Sequence, residues 1–354
     1  MRILLVKLSA LGDVVQSLPV AMAIKAQDPS ARVDWLVEPP AAPLLQGHPA
    51  LERVIVSPRK GPAGSLWQKA GRMVGFRRAL ASVRYDAVVD LQGLIKSAIL
   101  VSLCRSERKI GFAGGKEPAA ALALNERLPA YDPDRHALLR YLDLLEPLGY
   151  QRPAQVQYGL WPSAEEERAV DELLAGWDQA RPLILLHPVA LWPSKLWPLE
   201  HWVELTRLLV EAGVNVGVSG AAGDTAWGRA MVAGWTGAAS APRDFTGRTD
   251  LRVLAALQRR ARAVVSTDTG AMHLAAAMGA PTLALFGPTA PWRTGPFGAG
   301  HQIIRLGLEC GPCFRRGCDN PRCMNEITAT AVAERVAEML AGPAARAKEL
   351  VHGH

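Results

Sequence analysis

The chain has 354 residues, of which 49% are hydrophobic and 21% are charged, and its formal net charge is +7. This length and composition predict a soluble protein with two domains, each large enough to bury a sizeable core. No run of about 18 uncharged apolar residues is present, which argues against a membrane-spanning helix. The basic residues are scattered, which favours anionic partners such as nucleotide phosphates or an anionic membrane surface over nucleic acid.

Strands and helices alternate through the first half of the chain. The opening residues resemble a signal peptide only weakly, because Lys7 closes a short apolar run, so we expect a first strand in a cytoplasmic protein. The alternation predicts a parallel, doubly wound sheet. The predicted strands are 2–8, 33–37, 53–56 and 86–91, and the predicted helices are 14–26, 66–83, 94–103, 118–124 and 136–148.

Residues 150–162 contain two prolines and few other signals, and we interpret them as a linker. The alternating pattern then restarts. The second set of predicted strands is 183–186, 214–218, 261–265 and 281–286, and the second set of helices is 199–212, 224–235, 251–260, 274–278 and 328–340. We therefore predict domains at 1–160 and 161–340 and a tail at 341–354, with one site in the cleft between two α/β halves.

The most informative stretch is 266–274, which reads STDTGAMHL. It leads from a buried strand into a helix, so its backbone N–H groups and the positive end of the helix dipole favour phosphate. Asp268 and His273 add groups that can hold a sugar hydroxyl or a diphosphate. The alternative is that Thr267 or Asp268 merely caps the helix, which explains neither Gly270 nor His273.

A charged candidate residue follows the first predicted strand of each half of the chain. Asp13 lies in the loop after the first strand of the first half, where it is either a base for a substrate hydroxyl or the cap of the next helix. Lys195 lies after the first strand of the second half, where it can offset diphosphate charge without a metal or simply be solvated. His187 is interpreted as a structural histidine.

Lys96 and Ser97, at the head of a predicted helix, are candidates for binding an acceptor phosphate or carboxylate, with solvation as the alternative. The basic pairs Arg59-Lys60 and Arg77-Arg78 are interpreted as solvated charge. Glycine-rich nucleotide fingerprints are absent. The one D-x-D spacing, Asp132-Pro133-Asp134, is interpreted as a turn, so the sequence predicts no catalytic metal.

Four of the five cysteines are crowded together near the end of the chain: Cys310, Cys313, Cys318 and Cys323. In a reducing compartment such spacing favours a metal over disulfides, so a structural zinc or iron is one hypothesis and reduced thiols are the other. Four thiolates would close the metal's shell, which excludes a catalytic role for it. Cys104 stands alone in an apolar helix and is predicted to be inert core.

Several of these segments together resemble one protein family. They are residues 1–13, 34–38 (DWLVE), 85–98 (YDAVVDLQGLIKSA), 195–198 (KLWP) and 268–274 (DTGAMHL). The chain resembles the bacterial lipopolysaccharide heptosyltransferases, glycosyltransferase family 9, from residue 1 to about 335. The QGLIKS segment is more similar to heptosyltransferase I than to heptosyltransferase II.

The resemblance implies a GT-B fold, in which two Rossmann-like domains face each other across a cleft, with the acceptor side in domain 1–160 and the donor in domain 161–340. It implies inverting transfer of heptose from ADP-L-glycero-D-manno-heptose to the Kdo of the inner core, at the inner face of the cytoplasmic membrane and without a catalytic cofactor. Asp13 matches the family's proposed base and Lys195 a donor-phosphate lysine. The donor turn and the acidic residue near the donor ribose match Asp268, Thr269, Gly270, His273 and Asp224.

Three other interpretations stay open from the sequence. One is a related family 9 transferase that acts on another heptose or core acceptor, and another is a GT-B epimerase or hydrolase that acts on nucleotide sugars. The third is a non-catalytic nucleotide-sugar-binding protein, against which the carboxylate of Asp13 argues, because a binding protein needs no base at that loop. The residues alone identify neither the acceptor nor the nucleotide base of the donor.

Overall fold

The computed structural model describes residues 1–58, 66–235 and 241–342. Its contacts divide the chain into two compact units, Met1–Leu160 and Trp161–His354. The pair Arg59-Lys60 and the predicted tail beyond residue 342 lie outside the described residues.

The first unit is built on a six-stranded parallel sheet in the order β3-β2-β1-β5-β7-β8. The central strand β1 is almost entirely buried, because apolar residues fill it and helices cover both faces of such sheets. The strands of this sheet are β1 (Arg2–Val6), β2 (Arg32–Val37), β3 (Arg53–Val56), β5 (Ala87–Asp90), β7 (Lys109–Phe112) and β8 (Glu126–Leu128), and β4 (Arg84–Tyr85) pairs with β6 (Arg105–Ser106) in a separate two-stranded sheet. The helices are α1 (Leu11–Gln27), α2 (Ala42–Leu45), α3 (Leu66–Ala81), α4 (Ile95–Leu103) and α5 (Ala137–Asp143).

The second unit has a six-stranded parallel sheet in the order β11-β10-β9-β12-β13-β14. Its core includes Trp197 and Trp202, whose ring centroids lie 4.9 Å apart in an edge-to-face arrangement. The strands are β9 (Leu183–His187), β10 (Asn215–Val218), β11 (Arg243–Asp244), β12 (Ala263–Thr267), β13 (Thr282–Phe286) and β14 (Gln302–Arg305). The helices are α6 (Ala164–Leu174), α7 (Leu199–Glu211), α8 (Thr225–Val232), α9 (Leu251–Arg260), α10 (Gly270–Ala277), α11 (Pro291–Thr294), α12 (Arg322–Asn325) and α13 (Ala329–Ala341).

The two large sheets share one topology. Counted within its own sheet, each runs third, second, first, fourth, fifth, sixth strand, which is the order of the Rossmann fold. The order reverses between β1 and β5 in the first unit and between β9 and β12 in the second. Ligands of such sheets bind at the carboxyl ends of the strands at this reversal. The topology therefore predicts that ligands bind at the loops after β1, β5, β9 and β12.

The elements differ from the sequence predictions at three informative places. Helix α1 begins at Leu11 rather than at residue 14, so Asp13 lies inside its first turn. Helix α10 begins at Gly270, four residues before the predicted start. Helix α6 was missed, although the Ser163 hydroxyl accepts from the Glu166 amide and the Glu166 carboxylate accepts from the Ser163 amide, a capping box that the sequence displays.

None of the helices in the described part of the chain combines the length and the apolarity needed to cross a bilayer.

Candidate functional site

The carboxylate of Asp13 is held at both oxygens. Its Oδ2 accepts a hydrogen bond from the amide of Ala10 at 3.3 Å, and its Oδ1 accepts one from the hydroxyl of Tyr141 at 3.1 Å. Asp13 also lies in the first turn of α1, where the positive end of the helix dipole favours a carboxylate. The half-buried side chain is therefore oriented in advance for contact with a hydroxyl or a cation.

Tyr141 connects Asp13 to a buried lysine. The Nζ of Lys7 donates to the Tyr141 hydroxyl at 2.8 Å and to the carbonyl oxygen of Leu91 at 3.1 Å. Burial lowers the pKa of Lys7, while the nearby carboxylates of Asp13 and Asp90 raise it. Burial and Asp13 keep the pKa of Tyr141 well above its usual value, so its hydroxyl stays protonated and donates to Asp13. The three side chains form one hydrogen-bonded series from β1 to α1.

A second buried carboxylate fixes the loop after β5. Asp90 accepts hydrogen bonds from the amides of Gln92 and Gly93 at 2.9 and 3.1 Å and from the Ser97 hydroxyl at 2.9 Å. Burial raises the pKa of Asp90, and these hydrogen bonds oppose that shift. The Oε1 of Gln92 in turn accepts from the amides of Leu8 and Ser9 at 3.0 and 3.1 Å. The loops after β1 and β5 are thus tied together.

The two predicted acceptor residues have different surroundings. Ser97 is fully buried and its hydroxyl is engaged with Asp90 and with the backbone of Leu94, which are the contacts of a structural residue. The Nζ of Lys96 is partly exposed and lies 3.2 Å from Glu38 Oε1 and in contact with the Ser9 hydroxyl. Of the two, Lys96 therefore offers the accessible group.

In the second unit the predicted donor residues Lys195 and Asp268 meet. The Lys195 Nζ lies 2.6 Å from Asp268 Oδ2, and the Thr289 hydroxyl donates to the same oxygen at 2.6 Å. The ammonium also lies 4.5 Å from the centroid of the Trp192 ring. The side chain of Lys195 is 16% exposed and that of Asp268 only 7%, so Asp268 holds a cation that solvent still reaches.

The turn between β12 and α10 presents the start of a helix. Thr269 is the N-cap residue, and its side chain makes no capping hydrogen bond. The alternative interpretation of Thr267 or Asp268 as the cap is therefore wrong. The first amides of a helix have no carbonyl partner within it, so Gly270 begins a set of donors suited to an anion. His273 is buried in the same helix.

Asp224 and His187 lie at the ends of the neighbouring strands. Asp224 Oδ2 accepts from the amide of Ala221 at 2.8 Å, in the loop after β10. His187, at the end of β9, is buried and its Nδ1 lies 3.1 Å from the Ser219 hydroxyl. Burial lowers the pKa of His187 to about 4, although Asp224 opposes the shift. His187 is thus a neutral, structural histidine, as predicted.

The cysteine cluster does not form a recognisable metal centre. Cys310, Cys313 and Cys318 are exposed and Cys323 is half-buried. Residues 1–58, 66–235 and 241–342 contain no group of three or more histidine, cysteine, aspartate or glutamate side chains that could hold an ion. The hypothesis of a structural zinc or iron therefore finds no support, and the reduced-thiol alternative stands.

Two smaller predictions about the chain are confirmed. Cys104 is buried and its pKa is raised to about 11 by that burial, so its thiol stays protonated. The Asp132 carboxylate accepts from the Asp134 amide at 2.8 Å, which makes the D-x-D segment a turn.

Sequence reasoning missed Lys7, Tyr141 and Thr289. Lys7 carried a signal, because a lysine directly after an apolar strand at the centre of a sheet is buried and needs a partner. Tyr141 and Thr289 carried none, since each meets its carboxylate across a long separation in the chain.

Comparisons with known proteins agree with one another. The model of glycosyltransferase family 9 (heptosyltransferase) matches residues 73–324. The chain is 34% identical to lipopolysaccharide heptosyltransferase 1 of Pseudomonas aeruginosa over 97% of this chain and 99% of that protein. It is 32% identical to lipopolysaccharide heptosyltransferase 1 of Escherichia coli over 87% of this chain and 95% of that protein.

Solved structures give the same result for the fold. The heptosyltransferase WaaC of E. coli with ADP has a TM-score of 0.78 and 30% identity, covering 96% of this chain and 100% of its own. The ADP-heptose heptosyltransferase II of E. coli has a TM-score of 0.77 and 25% identity, covering 96% and 98%. The predicted fold class, α/β of the GT-B type with two Rossmann-like domains, is confirmed.

Proposed function

The chain belongs to glycosyltransferase family 9, the heptosyltransferases, and on that premise we propose that it transfers heptose from ADP-L-glycero-D-manno-heptose to the Kdo of the lipopolysaccharide inner core. The observation that carries the proposal is the placement of Asp13 at one sheet reversal and Lys195 at the other. A transfer of this kind needs a base for the acceptor hydroxyl and a countercharge for the departing diphosphate.

Asp13 is proposed as the base. Its carboxylate removes the proton of the acceptor hydroxyl as the oxygen attacks the anomeric carbon of the heptose and the bond to ADP breaks. Attack from the face opposite the diphosphate inverts that carbon. The two hydrogen bonds that Asp13 accepts fix its orientation, so little reorganisation is needed in the transition state. Lys96 is proposed to contact an anionic group of the acceptor.

Lys195 is proposed to stabilise the departing ADP. Its ammonium is held by Asp268, and the first amides of α10, which begins at Gly270, can add further positive potential. Thr269 and His273 complete the proposed donor turn, and Asp224 is proposed to bind a ribose hydroxyl. We propose that the reaction needs no metal, because these groups supply the charge that Mg²⁺ provides in other transferases.

The acceptor determines where the protein acts. A lipid-linked, anionic inner core lies in a membrane, so we propose that the enzyme is cytoplasmic and works peripherally at the inner face of the cytoplasmic membrane. The formal net charge of +7 favours approach to such a surface.

One second candidate is supported by a specific comparison. Lipopolysaccharide heptosyltransferase 2 of Salmonella typhimurium is 30% identical over 86% of this chain, which keeps open an acceptor that already carries a heptose. Asp13 and Lys195 serve that transfer equally well, so the choice of acceptor has to be measured.

The experiment is an ADP-release assay on the purified chain with ADP-heptose and three acceptor conditions: none, Kdo-lipid A, and heptosyl-Kdo-lipid A. We expect ADP only with Kdo-lipid A, at a rate unchanged by EDTA. Release without acceptor identifies a hydrolase, and release only with the heptosylated acceptor favours the second candidate. Loss of activity in EDTA that magnesium restores would contradict the metal-free scheme.

A further inference from the structure

A small cavity lies beside the Lys7–Tyr141 pair in the first unit. Its volume is about 60 Å³, and its walls include Lys7, Gln92, Tyr131, Arg140 and Tyr141. Tyr141, which forms part of this wall, donates through its hydroxyl to Asp13 Oδ1 at 3.1 Å. The cavity therefore adjoins the proposed base.

Arg140 is the unusual member of this wall. Its guanidinium carbon lies 4.3 Å from the centroid of the Tyr131 ring, and its Nε is buried without a hydrogen-bond partner. Among the described residues, no carboxylate forms an ion pair with it. A buried donor without a hydrogen-bond partner is costly, so the Nε–H of Arg140 is a group that a ligand can satisfy.

The other charges at the cavity are already committed. Lys7 donates to Tyr141 and to the Leu91 carbonyl, and the Asp90 carboxylate is occupied by two amides and the Ser97 hydroxyl. Arg140 opposes the charge of Lys7, which lowers the pKa of that lysine further. An anion that enters the cavity would relieve this repulsion and pair with Arg140.

We propose that this cavity is an acceptor subsite that binds the carboxylate of a sugar acid, with Arg140 as its principal partner. The inference rests on the proposed function, since a Kdo acceptor is a sugar acid. A carboxylate matches the planar guanidinium fork, and the volume suits a group of a few atoms. Tyr141 joins the cavity wall to Asp13, so a sugar anchored here by its carboxylate has a neighbouring hydroxyl on the side of the base.

The test compares the acid acceptor with the same acceptor carrying a methyl ester on the Kdo carboxyl. We expect the wild-type protein to prefer the acid by about 10-fold or more in kcat/KM, which is the effect of one charge-assisted pair. Arg140→Met should abolish that preference and leave the KM for ADP-heptose unchanged. Arg140→Lys should retain part of it. Arg105→Met removes an exposed arginine of the same unit that does not line the cavity, and it should retain the full preference.

Equal loss of activity toward acid and ester in Arg140→Met would assign Arg140 a structural role and overturn the proposal. The proposal would also be overturned if the wild type preferred acceptors for their lipid A phosphates rather than for the carboxylate, and if Arg140→Met abolished that preference. Calorimetric titration with free Kdo, without donor, separates this inference from the proposed function. If the wild type binds Kdo and Arg140→Met does not, the subsite is supported even when no transfer is found. If the protein transfers heptose without preferring the carboxylate, only the proposed function is supported.

Discussion

The two sheet reversals have the same topology and opposite chemistry. In the first unit the reversal between β1 and β5 presents a carboxylate, Asp13, which Tyr141 and Lys7 support from the protein side. In the second unit the reversal between β9 and β12 presents an ammonium, Lys195, which Asp268 supports. The same strand order thus places a carboxylate at the reversal of one unit and an ammonium at the reversal of the other.

The two lysines at these reversals differ in burial and in partners. Lys7 is 2% exposed and is held by the Tyr141 hydroxyl and the Leu91 carbonyl oxygen, so its ammonium faces protein groups rather than solvent. The side chain of Lys195 is 16% exposed, and Asp268, which holds its ammonium, is itself held by the Thr289 hydroxyl. The neighbours of each charged side chain, rather than the strand order, therefore determine how accessible its charge is.

The largest effect is expected from removing the base. Asp13→Ala should lower kcat by about 100-fold or more, because it removes the carboxylate proposed to take the proton of the acceptor hydroxyl. The melting temperature should stay close to that of the wild type. Asp28→Ala, at the other end of α1, is the matched control and should keep normal turnover. Near-normal turnover of a folded Asp13→Ala protein would remove Asp13 from the mechanism.

Lys195→Met tests the other reversal. It should raise the KM for ADP-heptose by about 10-fold to 100-fold, since a charge-assisted contact to the diphosphate is lost, and change the KM for the acceptor little. Initial-rate kinetics with each substrate varied in turn measures both constants. Arg207→Met removes an exposed, helix-surface cation from the same unit and should change neither constant. An equal rise in both constants would mean that the substitution disturbs more than the donor site.

Tyr141→Phe tests whether the Tyr141 hydroxyl supports Asp13 during the reaction. It removes the hydroxyl that links Lys7 to Asp13, and we expect kcat to fall by about 10-fold with the KM for ADP-heptose unchanged. The acid limb of the pH–rate profile should move to higher pH, because a donor to the charged carboxylate is lost. A fall in kcat with an unmoved pH profile would show that Tyr141 only packs.

His187 should affect stability in a defined pH window. Its pKa in the folded protein is about 4, below the value of about 6.5 in an unfolded chain, so the unfolded state binds the proton first as the pH falls. The stability contribution is present above pH 6.5 and is lost toward pH 4. We expect urea unfolding to show that the free energy of unfolding of the wild type falls by about 2 kcal/mol more than that of His187→Gln between pH 7 and pH 5. Parallel losses in the two proteins would refute this assignment.

The smallest effect is expected at the cysteine cluster. Cys313 is exposed, so Cys313→Ser should change the free energy of unfolding by less than about 0.5 kcal/mol and leave kcat unchanged. Elemental analysis of protein purified without a metal-affinity tag is the companion measurement. Stoichiometric zinc or iron, with a marked loss of stability in the variant, would revive the metal hypothesis.

Much of the fold was predictable because alternating buried strands and amphipathic helices mark a doubly wound sheet. The starts of α1 and α10 were not, since Gly12 and Gly270 in the first turns are poor helix formers, and docking against the sheet decides where each helix begins. The short strands β4 and β6 hold two residues each, too few for any periodicity.

The site was predictable where chemistry is local to one loop. The positions of Lys195 and Asp268 after strands are enough to propose both, and in the structure the Lys195 Nζ lies 2.6 Å from Asp268 Oδ2. Tyr141 and Arg140 were not found, because their importance depends on α5 packing beside α1, a contact that no local pattern encodes. Ser97 was proposed from its place at a helix head, and its burial against Asp90 depends on tertiary structure.

We propose that the first unit supplies the base and the second unit binds the donor. Calorimetric titration of ADP into the wild type, Asp13→Asn and Lys195→Met tests it most directly, because ADP engages only the donor site and no turnover is needed. We predict that Asp13→Asn binds ADP with wild-type affinity and that Lys195→Met binds about 10-fold more weakly or worse. Wild-type affinity in Lys195→Met, or a loss in Asp13→Asn as large as that in Lys195→Met, would contradict the account.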